Sequence, residues 1–280
     1  MYKTIVLYVA DNDQFALRMR LATGLAERHG AHLVGCAATG LAPADYAMLA
    51  ASPFGAMPLA DHAALHDDAA AALERFTVDA RRRGVASFET RLVTGHAAEV
   101  VLAQSTYADL VIVGQDNGTA VLTGFAVPDY VALHGACPVL MVPDGCRADS
   151  VGRRILIGWN ASLEARRAVQ AALPLLRDAA HVHAAVIDRP SPWLHGDDPT
   201  DRDPGAALAA WLGRLGVPVQ IVTDPDAHHA GDALLRIARD VDADLVVAGA
   251  YGHSRFRELV AGGATRTLLD NAETCVLLTH

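Results

Sequence analysis

Apolar residues follow two rhythms along this 280-residue chain. Short unbroken runs such as Ile5–Val9, Leu110–Val113, Val139–Val142, Ile155–Ile157, Leu245–Ala248 and Val276–Leu278 have strand length and no polar alternation. Runs of that kind suit strands buried on both faces of a parallel sheet. Between them the spacing changes to three and four. Phe15, Met19, Ala22, Leu25 and Ala26 recur in this way and stop before Gly30, which predicts a helix ended by glycine. Ala165, Ala168, Val169, Ala172, Leu173 and Leu176 repeat the rhythm behind Ser162, a residue placed to cap the helix start.

The pattern occurs twice. Ile5–Val9 answers Ile155–Trp159, and Ala108-Asp109-Leu110-Val111-Ile112-Val113-Gly114 answers Ala243-Asp244-Leu245-Val246-Val247-Ala248-Gly249, 135 residues later. Val139–Val142 answers Val276–Leu278 at a separation of 137, so the second copy holds two extra residues there. Each half reads strand, helix, strand, long helix, strand, helix, strand, helix, strand. That order implies an α/β fold with two tandem, doubly wound, parallel five-stranded sheets, Rossmann-like in kind. Pro143-Asp144-Gly145 and Arg147–Arg153 mark the boundary, giving domains 1–145 and 152–280. The two last strands are expected to pair within the chain as an internal pseudo-dimer, and a homodimer is left open.

Composition narrows the function. A net charge of −9, a single lysine (Lys3) and no basic stripe argue against nucleic acid as a partner. No apolar run approaches bilayer-spanning length, so no membrane partner is expected. The first residues enter a strand without a leader pattern, which predicts a cytoplasmic protein. Cys36, Cys137, Cys146 and Cys275 show no metal-site spacing and read as reduced thiols. His228-His229 reads as a loop pair and Asp67-Asp68 as a solvated helix face; no metal site is expected.

The candidate chemistry lies where the fourth strand of the second half ends. Gly249-Ala250-Tyr251-Gly252-His253-Ser254-Arg255 is followed by Gly262-Gly263-Ala264-Thr265, which opens the last helix. Glycines permit positive φ and close approach, letting backbone N–H groups converge on an anion, and the helix adds its own free N–H groups. Thr265 offers a hydroxyl, and Arg255, Arg257 and Arg266 offer charge. The glycine spacing alone is weak evidence; its position between a buried strand and a helix start gives it weight. His253 reads more readily as a loop histidine than as a phosphate ligand.

These residues resemble the universal stress protein family, whose nucleotide-binding members carry Gly-x2-Gly-x9-Gly-Ser/Thr after the fourth strand. Gly249, Gly252 and Gly262 stand at those places. Asn160-Ala161-Ser162 matches the family's Asp-Gly-Ser-like turn, and Val186-Ile187-Asp188 its second-strand end. The resemblance covers both halves and implies an adenine nucleotide, ATP or ADP or AMP, with Mg²⁺ as an accompaniment. It implies that Val186 reads the adenine edge and that the turn of Asn160 and Ser162 lies by the ribose and phosphates, with Gly158 and Trp159, at the end of the strand before it, as further candidates to line the pocket. Gly249, Gly252, Gly262, Gly263, Ala264 and Thr265 would then hold the phosphates. Trp159 reads equally as an adenine wall and as a packing residue.

Two departures weaken the match. Asn160 lacks the aspartate charge that favours hydrated Mg²⁺, and Gly263 lacks a hydroxyl. The first half departs further: Asn117 replaces the second glycine, Phe125 crowds the phosphate position and Asp116 repels an anion, so that half is expected not to bind ATP. Gly124 offers only a frame-shifted substitute. Two apolar stretches, Tyr46–Leu59 and Ser191–His195, read as lids or as connections alike. No Walker loop, no GxGxxG and no GxSxG occurs, and no catalytic residue is assigned. The leading expectation is a nucleotide-binding regulatory module of the stress response. A slow ATPase, and a scaffold or binder of an apolar ligand without nucleotide, remain alternatives.

Overall fold

A computed structural model describes residues 1–10, 12–40, 59–115, 126–187, 203–224, 229–252 and 263–280. By contacts the chain divides into two compact units, Met1–Cys137 and Pro138–His280. The fold class is the one the pattern implies: α/β, mostly parallel, and repeated.

The first unit runs β1 (Thr4–Tyr8), α1 (Phe15–His29), β2 (His32–Ala38), α2 (Leu59–Arg82), β3 (Phe88–Val93), α3 (Ala97–Ser105), β4 (Leu110–Gly114) and α4 (Val127–His134). Its strands lie in the order β3-β2-β1-β4, all parallel, with Ile5 opposite both Leu33 and Leu110. Ile5, Leu7, Leu33, Val34, Leu110 and Ile112 are fully buried, as helices on both faces demand. Strand β3 stands at the edge and keeps Glu89, Thr90 and Arg91 exposed, charges that discourage pairing with another chain. Gly30 ends α1 in the left-handed region at φ 58° and returns its N–H to Ala26 and Glu27. Asp67 and Asp68 lie on the exposed face of α2, as expected.

The second unit runs β5 (Val139–Val142), β6 (Arg154–Trp159), α5 (Leu163–Leu176), β7 (His181–Val186), α6 (Pro204–Arg214), β8 (Gln220–Thr223), α7 (Ala230–Asp240), β9 (Leu245–Gly249), α8 (Ala264–Asn271) and β10 (Cys275–Thr279). The strand order is β5-β10-β9-β6-β7-β8. The expected pairing of the two last strands is present: β5 lies antiparallel to β10, with Met141 opposite Val276 and Val139 opposite Leu278. Strand β5, the tail of the first repeat, thereby packs in the second unit. The helix expected to be long in this half, α6, has 11 residues against 24 in α2.

One device recurs in both units. The aspartate before β4 or β9 clamps the backbone at the start of the neighbouring strand. Asp109 accepts from the N–H groups of Lys3 (2.6 Å) and Thr4 (2.9 Å). Asp244 accepts from those of Gly152 (2.7 Å), Arg153 (2.9 Å) and Arg154 (3.2 Å). Each clamp satisfies amides that begin a strand without a sheet partner, and it fixes the register of the central pair.

Candidate functional site

From β6 the chain of the second unit winds outward through β7 and β8, then returns to β9 on the other side of β6. The order reverses there, and in open parallel sheets a crevice forms beyond the carboxyl ends of the strands at that point. Trp159 and Gly249 end the two strands.

The turn after β6 is built as the sequence suggests. Asn160 Oδ1 accepts from the Ser162 N–H (3.1 Å), and Ser162 Oγ accepts from the Ala165 N–H (3.1 Å), capping α5. The Asn160 carbonyl oxygen of the side chain is thus turned into its own loop. Ala161 sits between them at φ 58°, a region where a side chain is strained and glycine is not. Ala161→Gly is therefore expected to stabilise the protein by about 1 kcal/mol. Chemical denaturation reads this directly, and an unchanged midpoint would show that the turn carries no strain.

At the end of β9 the described glycines show one of the two uses expected of them. Neither Gly249 nor Gly252 has a positive φ; among the described residues of this loop, Tyr251 is left-handed, at φ 52°. Gly249 serves close approach. A Cβ there would lie 2.5 Å from the Ala165 backbone nitrogen and 2.8 Å from Glu164 Cβ, so the first turn of α5 rests on the bare strand end. Among the described residues, a Cβ at Gly252 would meet the end of the Glu164 side chain, with Oε2 at 3.3 Å. Gly263 is the N-cap of α8 and has no side chain to offer its first turn. Thr265 is buried, and its hydroxyl oxygen accepts from the Tyr251 N–H at 3.2 Å. That bond ties the β9 loop to the start of α8 and leaves the hydroxyl's own proton to donate.

Gly158 lets α7 approach β6: a Cβ would stand 3.1 Å from Leu234 Cδ1. Val186 ends β7 directly opposite Trp159. Trp159 itself is engaged in packing. Its indole N–H donates to the Pro204 carbonyl (3.1 Å), and its ring lies 6.5 Å from that of Trp211, over which the Arg166 guanidinium sits at 4.0 Å. His253, Arg255, Arg257 and Gly262 lie outside the described residues, as do Tyr46–Pro58, Asp116, Asn117, Gly124, Phe125, Asp188, Ser191–His195 and His228.

Sequence reasoning missed two charged residues. Glu164, in the first turn of α5, is 6% exposed and faces Gly249 and Gly252. A carboxylate in the first turn interacts favourably with the α5 dipole at that strand end. Its position two residues after the Ser162 cap was the available signal. In the first unit Arg18 of α1 is 1% exposed. Its Nη2 donates to the Ala10 carbonyl (2.9 Å) and to Asn12 Oδ1 (2.8 Å), and a Cβ at Gly114 would stand 2.7 Å from its Nη1. A guanidinium thus fills the floor at the end of β4, where the second unit has the first turn of α5.

A separate cleft of about 760 Å³ opens at the amino ends of the strands in the second unit. It is lined by Arg153, Arg154 and Arg239 against Asp149, Asp242, Asp244 and Glu273, so it offers no net field for an anion. The carboxyl-end crevice is the better candidate, because the starts of α5 and α8 each lie beside the end of β9, α5 at Gly249 and α8 through Thr265 and Tyr251. Among the described residues no three His, Cys, Asp or Glu side chains gather to hold a metal ion, and no helix is long and apolar enough to cross a membrane.

Tandem doubly wound units, one of them with glycines and helix starts at its switch point, define the class of this protein. The model of the Universal stress protein family matches residues 1–143 and 152–280, and the chain belongs to that family. Its fold is shared with a universal stress protein from Archaeoglobus fulgidus DSM 4304, at 14% identity and a TM-score of 0.76, over 99% of this chain and 95% of the other. A functionally unknown protein from Pseudomonas aeruginosa PAO1 aligns at 18% identity with a TM-score of 0.62, over 99% and 92% of the two chains. No curated protein matches.

Proposed function

We propose that the second unit binds one adenine nucleotide at the carboxyl ends of β6 and β9, and that the protein acts as a nucleotide-dependent binding module of the stress response. The observation that carries this reading is that α5 and α8 both begin beside the end of β9, α5 against Gly249 and α8 through the Tyr251–Thr265 hydrogen bond, which draws the Gly252 and Gly263 segments together. Backbone N–H groups in such a place suit phosphate oxygens. Family membership adds to it, since the motif glycines Gly249 and Gly252 stand at that end. Val186 and Trp159, adjacent across β6 and β7, fit the base side of the same crevice.

The first unit is proposed to bind none, because the Arg18 guanidinium fills the corresponding floor beside Gly114. Glu164 tempers affinity in the second unit and favours nucleotides of lower charge, AMP or ADP as readily as ATP. Calorimetric titration of the three nucleotides, with and without Mg²⁺, tests the whole reading. One site per chain is expected, and Glu164→Gln is expected to tighten ATP binding about fivefold by removing a like charge. Two sites would show the first unit to be competent. No heat from any nucleotide, in the wild type and in Glu164→Gln alike, would sink the proposal.

A further inference from the structure

We infer that Cys146 and Cys275 form an oxidisable pair that closes to a disulfide within the second unit. Cys275 is the first residue of β10, and Cys146 follows the turn that leaves β5, the strand paired with β10. The Cys146 N–H donates to the Pro143 carbonyl (3.1 Å), folding the chain back so that the two Sγ atoms lie 3.8 Å apart. Both are free thiols. A disulfide needs about 2.05 Å between the sulfurs, a closure within reach of side-chain rotation and small backbone adjustment. Among the described residues this is the one sulfur–sulfur contact.

The two thiols differ in access. Cys146 is 6% exposed and flanked by exposed Gly145 and Arg147, whereas Cys275 is fully buried. A small peroxide therefore meets Cys146 first. Its thiolate attacks one peroxide oxygen, the O–O bond breaks, and Cys146 becomes a sulfenic acid while the other oxygen leaves as water or alcohol. Cys275 then attacks the Cys146 sulfur, the S–O bond breaks and a second water departs. The sulfurs lose two electrons together and the peroxide gains them. Contact with Cys146, followed by burial, holds the Cys275 thiol well above the usual range. The second step is thus slow near neutrality and quickens as pH rises, by up to about tenfold per unit. Cys36 and Cys137 lie in the first unit, and burial pushes their thiols up to about 12 and about 11; neither has a second sulfur beside it. The product would fasten the segment after β5 to the last strand, closing a long loop, and would raise the stability of the second unit.

The test is hydrogen peroxide treatment of the whole protein at pH 8.5, followed by denaturation and alkylation. The four thiols should fall to two, peptide mapping should join Cys146 to Cys275 within one chain, and the melting temperature should rise by roughly 5 °C, reversibly with dithiothreitol. Cys146→Ser and Cys275→Ala should each show neither the bridge nor the thermal shift. Four alkylatable thiols after treatment of the wild type would overturn the inference. So would bridges between molecules, or bridges that use Cys36 or Cys137.

Discussion

Gly249→Ala is expected to lower the stability of the second unit by about 3 kcal/mol and to weaken nucleotide binding at least tenfold. The added methyl would lie 2.5 Å from the Ala165 nitrogen and 2.6 Å from the Glu164 carbonyl carbon. Those are backbone atoms of a helix start already fixed by the Ser162 cap, so no flexible side chain can yield. The first turn of α5 must back away from β9, taking the Asn160 turn with it and widening the crevice. Gly252→Ala is the control. Among the described residues its methyl meets the flexible end of the Glu164 side chain, and its stability cost should stay below about 1 kcal/mol. Denaturant unfolding and calorimetry on both variants give the comparison. If Gly249→Ala unfolded like the wild type and bound nucleotide equally well, the strand end would not be the floor of the site.

Arg18→Met should cost the first unit about 3 kcal/mol, because the Ala10 carbonyl and Asn12 Oδ1 lose a charged donor in a site almost closed to water. Methionine keeps most of the volume beside Gly114, so the loss reports the guanidinium and not a cavity. Following unfolding with probes placed in each unit should show the first transition falling by roughly 8 °C while the second stays in place. Nucleotide stoichiometry should remain one per chain. A midpoint shift of under about 1 °C would mean that Arg18 is a passenger in the core.

The architecture was legible because its signals are collective. Leu110–Val113 and Leu245–Ala248 carry no polar residue, and only a strand covered on both faces tolerates that. The α5 start was legible as well, since Ser162 before an apolar rhythm has one economical use. Individual side chains at the site were not. Arg18 stands three residues after Phe15 and four before Ala22 in the apolar rhythm, and a charged residue ordinarily points to solvent; the bare strand end at Gly114 makes room for it. Glu164 is hidden for the same reason, beside Gly249. The glycines were recognised, but which of their two uses each one serves was not legible. A glycine reads the same in sequence whether it supplies a left-handed φ or a gap for a neighbour; among the described residues of this loop Tyr251 takes the φ while Gly249 leaves the gap.

The exchange of β5 bears on how such a protein can be taken apart. Scissors guided by the repeat would cut between residues 143 and 152, the limits of the two family matches. That cut strips β10 of its antiparallel neighbour and bares Val276, Leu277 and Leu278, all with no exposure in the intact chain. A half made that way carries a sticky apolar rim and is driven to recruit a second copy in place of the missing strand. A cut before Pro138 would leave the rim sealed, so the gene's natural modules and the protein's cohesive modules are offset by one strand.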